Sequence, residues 1–213
     1  MSDKHIAFTF DDGPNTTVTP LVAEILEKYG GRGTFFVVGN NINDASAKVM
    51  KYVHLNGHEI DSHSLTHSDM TKFTAKQIAD EIEMTDIRIR SVIGEETRFF
   101  RPPYIAYDQL MFDTIDKPFI CGRRVDDWDK SVTVEQRING LLEKAEDGGI
   151  ILLHDQDDNY ATVEALQFVL PRLAEQGYEF VTLSRLFRLK GVPPLTDRPI
   201  IYSNVFQTEN TYQ

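Results

Sequence analysis

The chain is poor in several things that would have placed it in other classes. One cysteine, Cys121, stands alone in 213 residues. No disulfide can form within the chain, and a cysteine-based zinc site is excluded. The apolar context of Cys121, KPFICG, predicts a buried small hydrophobe rather than a nucleophile. No run approaches the roughly 20 apolar residues of a membrane-spanning helix. The opening MSDKHIAFTF lacks the apolar core of a signal peptide. As given, the chain therefore reads as cytoplasmic, or as secreted had a leader been trimmed, with no membrane partner. Basic residues are in deficit: 22 Lys and Arg against 33 Asp and Glu leave a net charge of −11. Phosphate contact needs clustered cations, so no nucleic acid is expected as a partner. A neutral or cationic substrate fits better. Internal repeats, low-complexity runs and Gly- or Ser-rich linkers are also missing. These absences predict one domain over residues 1–213, with a core of about 5–190 and a tail of 192–213 that wraps the core or frays. A monomer is expected.

What is present is alternation. Strand patterns at 5–10, 33–39, 58–63, 97–104, 118–123, 150–155 and 178–183 are separated by helical patterns at 19–30, 43–57, 74–94, 133–149 and 161–177. Pro171 marks a place where the last of these helices is expected to kink. Regular alternation predicts an α/β fold with a parallel sheet. The count favours a single distorted (β/α) barrel of about seven parallel strands. Polar clusters follow the apolar strands: Asp11-Asp12, His63, Arg101, Asp126-Asp127 and His154-Asp155. In a barrel these positions converge on the C-terminal face, where active sites are built. That convergence is the argument for an enzyme.

Two stretches carry the chemistry. AFTFDDGP (7–14) runs from a strand into adjacent carboxylates, and DSHSLTH (61–67) sets His63 and His67 four residues apart. On one helical turn, two such imidazoles face the same side, as a metal pair requires. If one aspartate completes the ligand set, the cation offsets the charge of the other, which then stays ionised as a general base. A two-histidine, one-aspartate site with open positions suits a hydrolytic zinc, with cobalt the other candidate. Gly13 lets the backbone turn and Pro14 stiffens it.

These motifs resemble carbohydrate esterase family 4, the NodB-homology polysaccharide deacetylases. TFDDGP (9–14), HSLTH (63–67), RPPY (101–104), DDW (126–128) and LLHD (152–155) look like the family's five motifs in order, over roughly residues 5–190. The resemblance implies that Asp11 is the catalytic base and that Asp12, His63 and His67 bind the metal. It implies that His154 is the general acid and that Arg101 orients Asp11. The backbone N–H of Tyr104 would help hold the oxyanion, and Trp128 and Leu152 would line the acetyl pocket. His5, His54 and His58 are assigned no catalytic role. Such a division of labour is what acetyl hydrolysis needs: a base, an oxyanion stabiliser and an acid.

Two positions depart from the family pattern. Ile105 follows Tyr104 where glycine is usual, which narrows the groove. In the D-x-x-D-W form of the fourth motif, the resemblance assigns the tuning of the catalytic histidine to the first aspartate. Arg124 stands there instead, four residues before Trp128. Either Asp126 or Asp127 then supports His154, or Arg124 lowers its pKa and leaves less of it protonated at neutral pH, which weakens acid catalysis. An ester tolerates a weaker acid than an amide. Together with the look of the last third of the chain, this favours O-acetyl esters of xylan or its oligosaccharides. N-Deacetylation of N-acetylglucosamine in chitin oligomers or peptidoglycan is the second choice. A cyclic-amide hydrolase and a non-catalytic sugar binder remain as rivals, and the intact ligand and acid positions disfavour the binder.

Overall fold

A computed structural model describes residues 4–210; the first three residues and the last three of the tail lie outside it. Its strands are β1 (Lys4–Asp11), β2 (Thr34–Val37), β3 (Glu59–Ser62), β4 (Phe119–Ile120), β5 (Arg123–Arg124), β6 (Ile150–His154), β7 (Tyr178–Phe180) and β8 (Ile201–Tyr202). Its helices are α1 (Val18–Lys28), α2 (Asp44–Leu55), α3 (Ala75–Ile93), α4 (Gln109–Thr114), α5 (Val134–Lys144), α6 (Tyr160–Glu175) and α7 (Leu183–Lys190).

The strands β3-β2-β1-β6-β5 form a continuous parallel path, and β7 pairs with the first residues of β1. Single parallel bridges, Ser62 to Phe100 and Phe100 to Phe119, carry the sheet round to the β4–β8 pair. On the far side, the Cys121 and Gly122 N–H groups donate to the Tyr202 carbonyl, and Ile150 N–H donates to Ser203. The sheet thus curls into the predicted distorted (β/α) barrel, joined in places by single residues.

The period-two geometry of β1 sorts its side chains. Ile6, Phe8 and Phe10 pack outward against Val22 and Leu26 of α1 and Leu166 and Leu170 of α6. Ala7 points the other way, into a cluster with Phe36, Ile120 and Ile150 that α7 closes with Leu183, Leu186 and Phe187. By the same alternation Thr9 and Asp11 face that interior. The strand therefore delivers a carboxylate to the mouth of the barrel as its last residue.

Helices α1, α2, α3, α5 and α6 sit where the periodicity predicts, and α7 follows the predicted last strand without having been expected. Capping boxes open α2 (Asn43 with Ser46), α3 (Thr74 with Gln77) and α5 (Thr133 with Gln136). α6 runs through Pro171 as one helix. The predicted strand at 97–104 is reduced to Phe100. Asp61 Oδ1 takes the N–H groups of Arg98 and Phe99 at 2.7 and 3.0 Å, and Pro102 and Pro103 have none to give. Helix α4, capped by Asp108, and strand β8 had no clear periodic signal.

The described part of the tail wraps the barrel. Ile200, Ile201, Tyr202 and Val205 are buried. Tyr202 packs edge-on to Phe187 at 5.3 Å, and its hydroxyl accepts from Leu195 N–H at 3.1 Å. Tyr202→Ala is expected to lower the unfolding free energy by about 3–5 kcal/mol, and Tyr202→Phe by about 1 kcal/mol. Urea unfolding measures both. Near-equal small effects would mean that the tail is dispensable.

Candidate active site

The aspartate pair turns a corner that only a tight set of contacts allows. Asp12 adopts a left-handed backbone, φ 75°. Its carbonyl accepts from Asn41 Nδ2, and the Gly13 carbonyl accepts from Val38 N–H. Gly13 N–H donates to Asp155 Oδ1 at 3.1 Å, and a Cβ on Gly13 would stand 2.5 Å from Asp155 Oδ2. Glycine is required there because the buried Asp155 carboxylate occupies the space. Burial, with the Asp12 and Asp11 charges, pushes Asp155 up to about 7 against the hydrogen bond from Thr19. Asp11 and Asp12 consequently splay apart.

Asp12 points at the two histidines. Its Oδ1 lies 3.2 Å from His67 Nε2 and 3.6 Å from His63 Nε2. Among the described residues, these three form the one group able to hold a metal ion, with ligand atoms within 4.8 Å of one another. Asp12 Oδ1 is buried and has no hydrogen-bond partner. A buried, unsatisfied carboxylate oxygen between two imidazoles is the mark of a cation site. The histidines are prepared for it. His63 Nδ1 lies 2.7 Å from the Arg101 carbonyl, which only accepts, so Nδ1 carries the proton and Nε2 offers its lone pair. Burial, opposed by Asp12, lowers the His63 pKa to about 3 and keeps the ring neutral. The residues present fit a divalent ion.

His63 and His67 do not lie on a helical turn, as their spacing suggested. They sit in an irregular loop in which Ser64 and His67 have φ of 65° and 58°. Glu81 of α3 holds this loop: its carboxylate accepts from the N–H groups of Leu65 and Thr66 and from the Thr66 hydroxyl. Glu81 was not singled out from the sequence. Its signal was an acidic residue between Ile78 and Ile82 on the helix's apolar face.

Asp11, 2 % exposed, lies beside this group, with Oδ2 3.7 Å from His63 Nε2. Its Oδ1 accepts from Arg101 NH1 at 2.6 Å. Arg101 is fully buried and also donates to Thr9 Oγ1 and the Ile120 carbonyl, with its guanidinium 4.2 Å over the Phe36 ring. Burial raises the Asp11 pKa, and Arg101 opposes that rise.

A family model described as "Polysaccharide deacetylase" matches residues 1–117. The chain belongs to the polysaccharide deacetylase family. It is 46% identical over 205 residues to a bifunctional xylanase/deacetylase of Pseudobutyrivibrio xylanivorans, covering 96% of this chain and 34% of that protein. The chain thus spans about a third of that relative's length. It is 33% identical over 196 residues to a peptidoglycan-N-acetylglucosamine deacetylase of Bacillus cereus, covering 89% and 91% of the two chains. The solved structure of a family 4 acetyl xylan esterase from Clostridium thermocellum, in complex with a cobalt ion, superimposes with a TM-score of 0.91. That pair is 40% identical, with 95% and 99% of the chains covered. The family is one of metal-dependent hydrolases.

The rest of the deacetylase pocket, about 340 Å³, is lined by Asp11, Asp12, His63, His67 and His154 together with Tyr104, Trp128 and Leu152. Ile105, Arg124 and Gln156 also line it. Ile105 and Arg124 stood out from the sequence only as departures, and Gln156 not at all. Trp128 is 53 % exposed, so it is no core residue. Tyr104 is 68 % exposed and lies edge-on to His67 at 4.7 Å. Its φ is 59°, and its backbone N–H has no partner among the described residues. Cys121 is buried, as expected. His58 bonds Glu27, away from the pocket.

The fourth motif resolves in favour of Asp127. Its Oδ1 lies 2.8 Å from His154 Nδ1, and Oδ2 accepts from His154 N–H, Asn159 and Thr162. Asp126 is exposed at φ 51° and does not reach His154, so its supporting role is withdrawn. In this chain the residue that meets His154 is the aspartate directly before Trp128. Nor does Arg124 weaken the acid. Burial lowers the His154 pKa, but the Asp127 hydrogen bond and charge, with Asp11 and Asp12, prevail and raise it from 6.5 to about 9. His154 is therefore protonated at neutral pH. The stabilisation it draws from Asp127 is complete below pH 6.5 and is lost as pH rises through about 9. In NMR titrations of the ion-free protein, His154 should titrate near 9, and Asp127→Asn should bring it to its ordinary value or below. An unchanged titration would remove Asp127 from the site.

Proposed function

We propose that this deacetylase hydrolyses O-acetyl esters of xylan or xylo-oligosaccharides, as a monomer with one catalytic unit. The observation that carries a hydrolytic reading is the Asp12–His63–His67 group, with an orphaned Asp12 oxygen, flanked by a buried base and a protonated histidine in one pocket. Support for xylan comes from the two relatives named for xylan chemistry, which exceed the peptidoglycan deacetylase in identity.

In this reading Asp12, His63 and His67 hold a divalent ion, zinc by preference or cobalt. Bound there, such an ion supplies Lewis-acid polarisation of an acetyl carbonyl and a lowered pKa for water. Asp11 accepts the proton of the attacking water. Arg101 fixes the Asp11 carboxylate and opposes the desolvation that would protonate it. The Tyr104 N–H donates to the developing oxyanion. His154 gives its proton to the departing sugar oxygen, and Asp127 keeps the imidazolium charged and oriented. Trp128 and Leu152 wall the methyl group.

N-Deacetylation of N-acetylglucosamine polymers is the second reading, and one observation favours it. With Asp127 beside it, His154 is held protonated at neutral pH and has a proton to give to an amine leaving group, so the argument for esters from a depleted acid does not hold here. The ester preference rests on the similarity to xylan-active relatives alone.

Acetate release from acetylated xylan and from chitin oligomers, with the zinc-loaded protein and a chelated control, tests both readings. Chelator-sensitive release from xylan is expected to dominate. Dominant release from chitin oligomers would replace the ester reading with the amide one. Asp11→Asn should keep the bound ion while the rate falls about 10²–10⁴-fold, the range of a lost general base. Asp12→Ala should lose ion and activity together. Full activity in Asp11→Asn would overturn the base assignment.

A further inference from the structure

A second groove of about 450 Å³ adjoins the catalytic pocket and shares Tyr104, Ile105 and Arg124 with it. Three cations line it: Arg123, Arg124 and Lys144. Asp126 is the one carboxylate among its described lining residues. Arg123 is neutralised by Glu146, and the Lys144 ammonium donates to the Arg124 carbonyl. The Arg124 guanidinium is different. It is exposed and makes no ion pair or side-chain hydrogen bond among the described residues. Asp127, the nearest aspartate committed to the site, has both oxygens engaged with His154, Asn159 and Thr162.

Arg124 is directed to this place by the sheet. It ends β5, in register with Leu152 of β6. Residues in register on parallel strands project from the same face, and both residues line the catalytic pocket. An uncompensated guanidinium at the mouth of the active site contrasts with the chain's net charge of −11. Such a chain repels anionic substrates at long range, and a neutral sugar gains little from a charged fork. A carboxylate matches it with two parallel N–H···O bonds. The flat, exposed Tyr104 beside it offers an apolar face to a sugar ring.

We propose that Arg124 builds a subsite for a sugar carboxylate. The adjoining groove takes a uronic acid borne by the chain next to the acetylated unit, so acidic acetylated oligosaccharides are preferred over neutral ones. This rests on the acetylxylan reading above, which supplies the sugar chain.

The test compares acetate release from acetylated xylo-oligosaccharides with and without a uronic acid substituent, using the zinc-loaded protein at low ionic strength. The kcat/KM ratio, acidic over neutral, should be about tenfold, a typical value for one charge-assisted hydrogen bond. It should reside mainly in KM and shrink as salt is raised. Arg124→Gln should bring the ratio toward one, and Arg124→Glu should bring it below one. Because the readout is a ratio within each variant, a general loss of activity does not mimic the effect. A wild-type ratio of one, or a preference retained in both variants, overturns the subsite and leaves the esterase reading intact. Release from neither substrate overturns the esterase reading and the subsite with it.

Discussion

Everything at the mouth of the barrel depends on one buried ion pair, Arg101 with Asp11. Both partners are withdrawn from water, at 0 % and 2 % exposure. Such pairs contribute little net stability, because desolvation offsets their attraction, yet removing one partner leaves a stranded charge at a penalty of about 3–5 kcal/mol. Here the pair places an ionisable carboxylate where an apolar barrel interior would otherwise neutralise it. Arg101 is held by Thr9 Oγ1, by the Ile120 carbonyl and by the Phe36 face. Its own carbonyl then orients His63. One residue thus couples Asp11 to the Asp12–His63–His67 group.

The site is polarised around that pair. On one side, neutral His63 and an unsatisfied Asp12 oxygen await positive charge. On the other, His154 carries positive charge against Asp127. Asp11 and His154 are register partners at the ends of the adjacent strands β1 and β6, so a proton acceptor and a proton donor share one pocket. The support comes from residues remote in sequence: Glu81 on α3 clamps the His67 loop, and Asp155 after β6 clamps the Gly13 turn. Each clamp is a buried carboxylate that accepts from backbone N–H and a threonine hydroxyl, Glu81 from Leu65 and Thr66 and Asp155 from Gly13 and Thr19, the pattern expected where loops must hold strained conformations.

Much of this was legible in the chain. The barrel class followed from alternation, the site's location from polar residues after apolar strands, and the ligand trio from Asp12, His63 and His67. Two things misled. His63 and His67 looked like one face of a helix, because a four-residue spacing is the helical signal. A loop with left-handed residues brings the rings together equally well, and Glu81, with the Ser64 hydroxyl, holds that loop. Arg124 looked like a threat to His154, because sequence proximity to Trp128 says nothing about which carboxylate stands between them. The apolar pattern at 97–104 reads as a full strand, but Asp61, distant in sequence, takes the Arg98 and Phe99 N–H groups that a ladder would use.

The sequence by itself determined the family, through its motifs, and which polar residues follow which strands: Asp11 and Asp12, His63, Arg101 and His154. Those are local facts, set by hydrophobic period and residue type. Tertiary structure alone decided how the roles are tuned. It chose Asp127 over Asp126, kept His154 protonated rather than depleted at neutral pH, left Arg124 unpaired beside the pocket, and built the tail into the core. The reason is that pKa values and free charges depend on burial and on neighbours about 3 Å away. Those neighbours come from elements far apart along the chain.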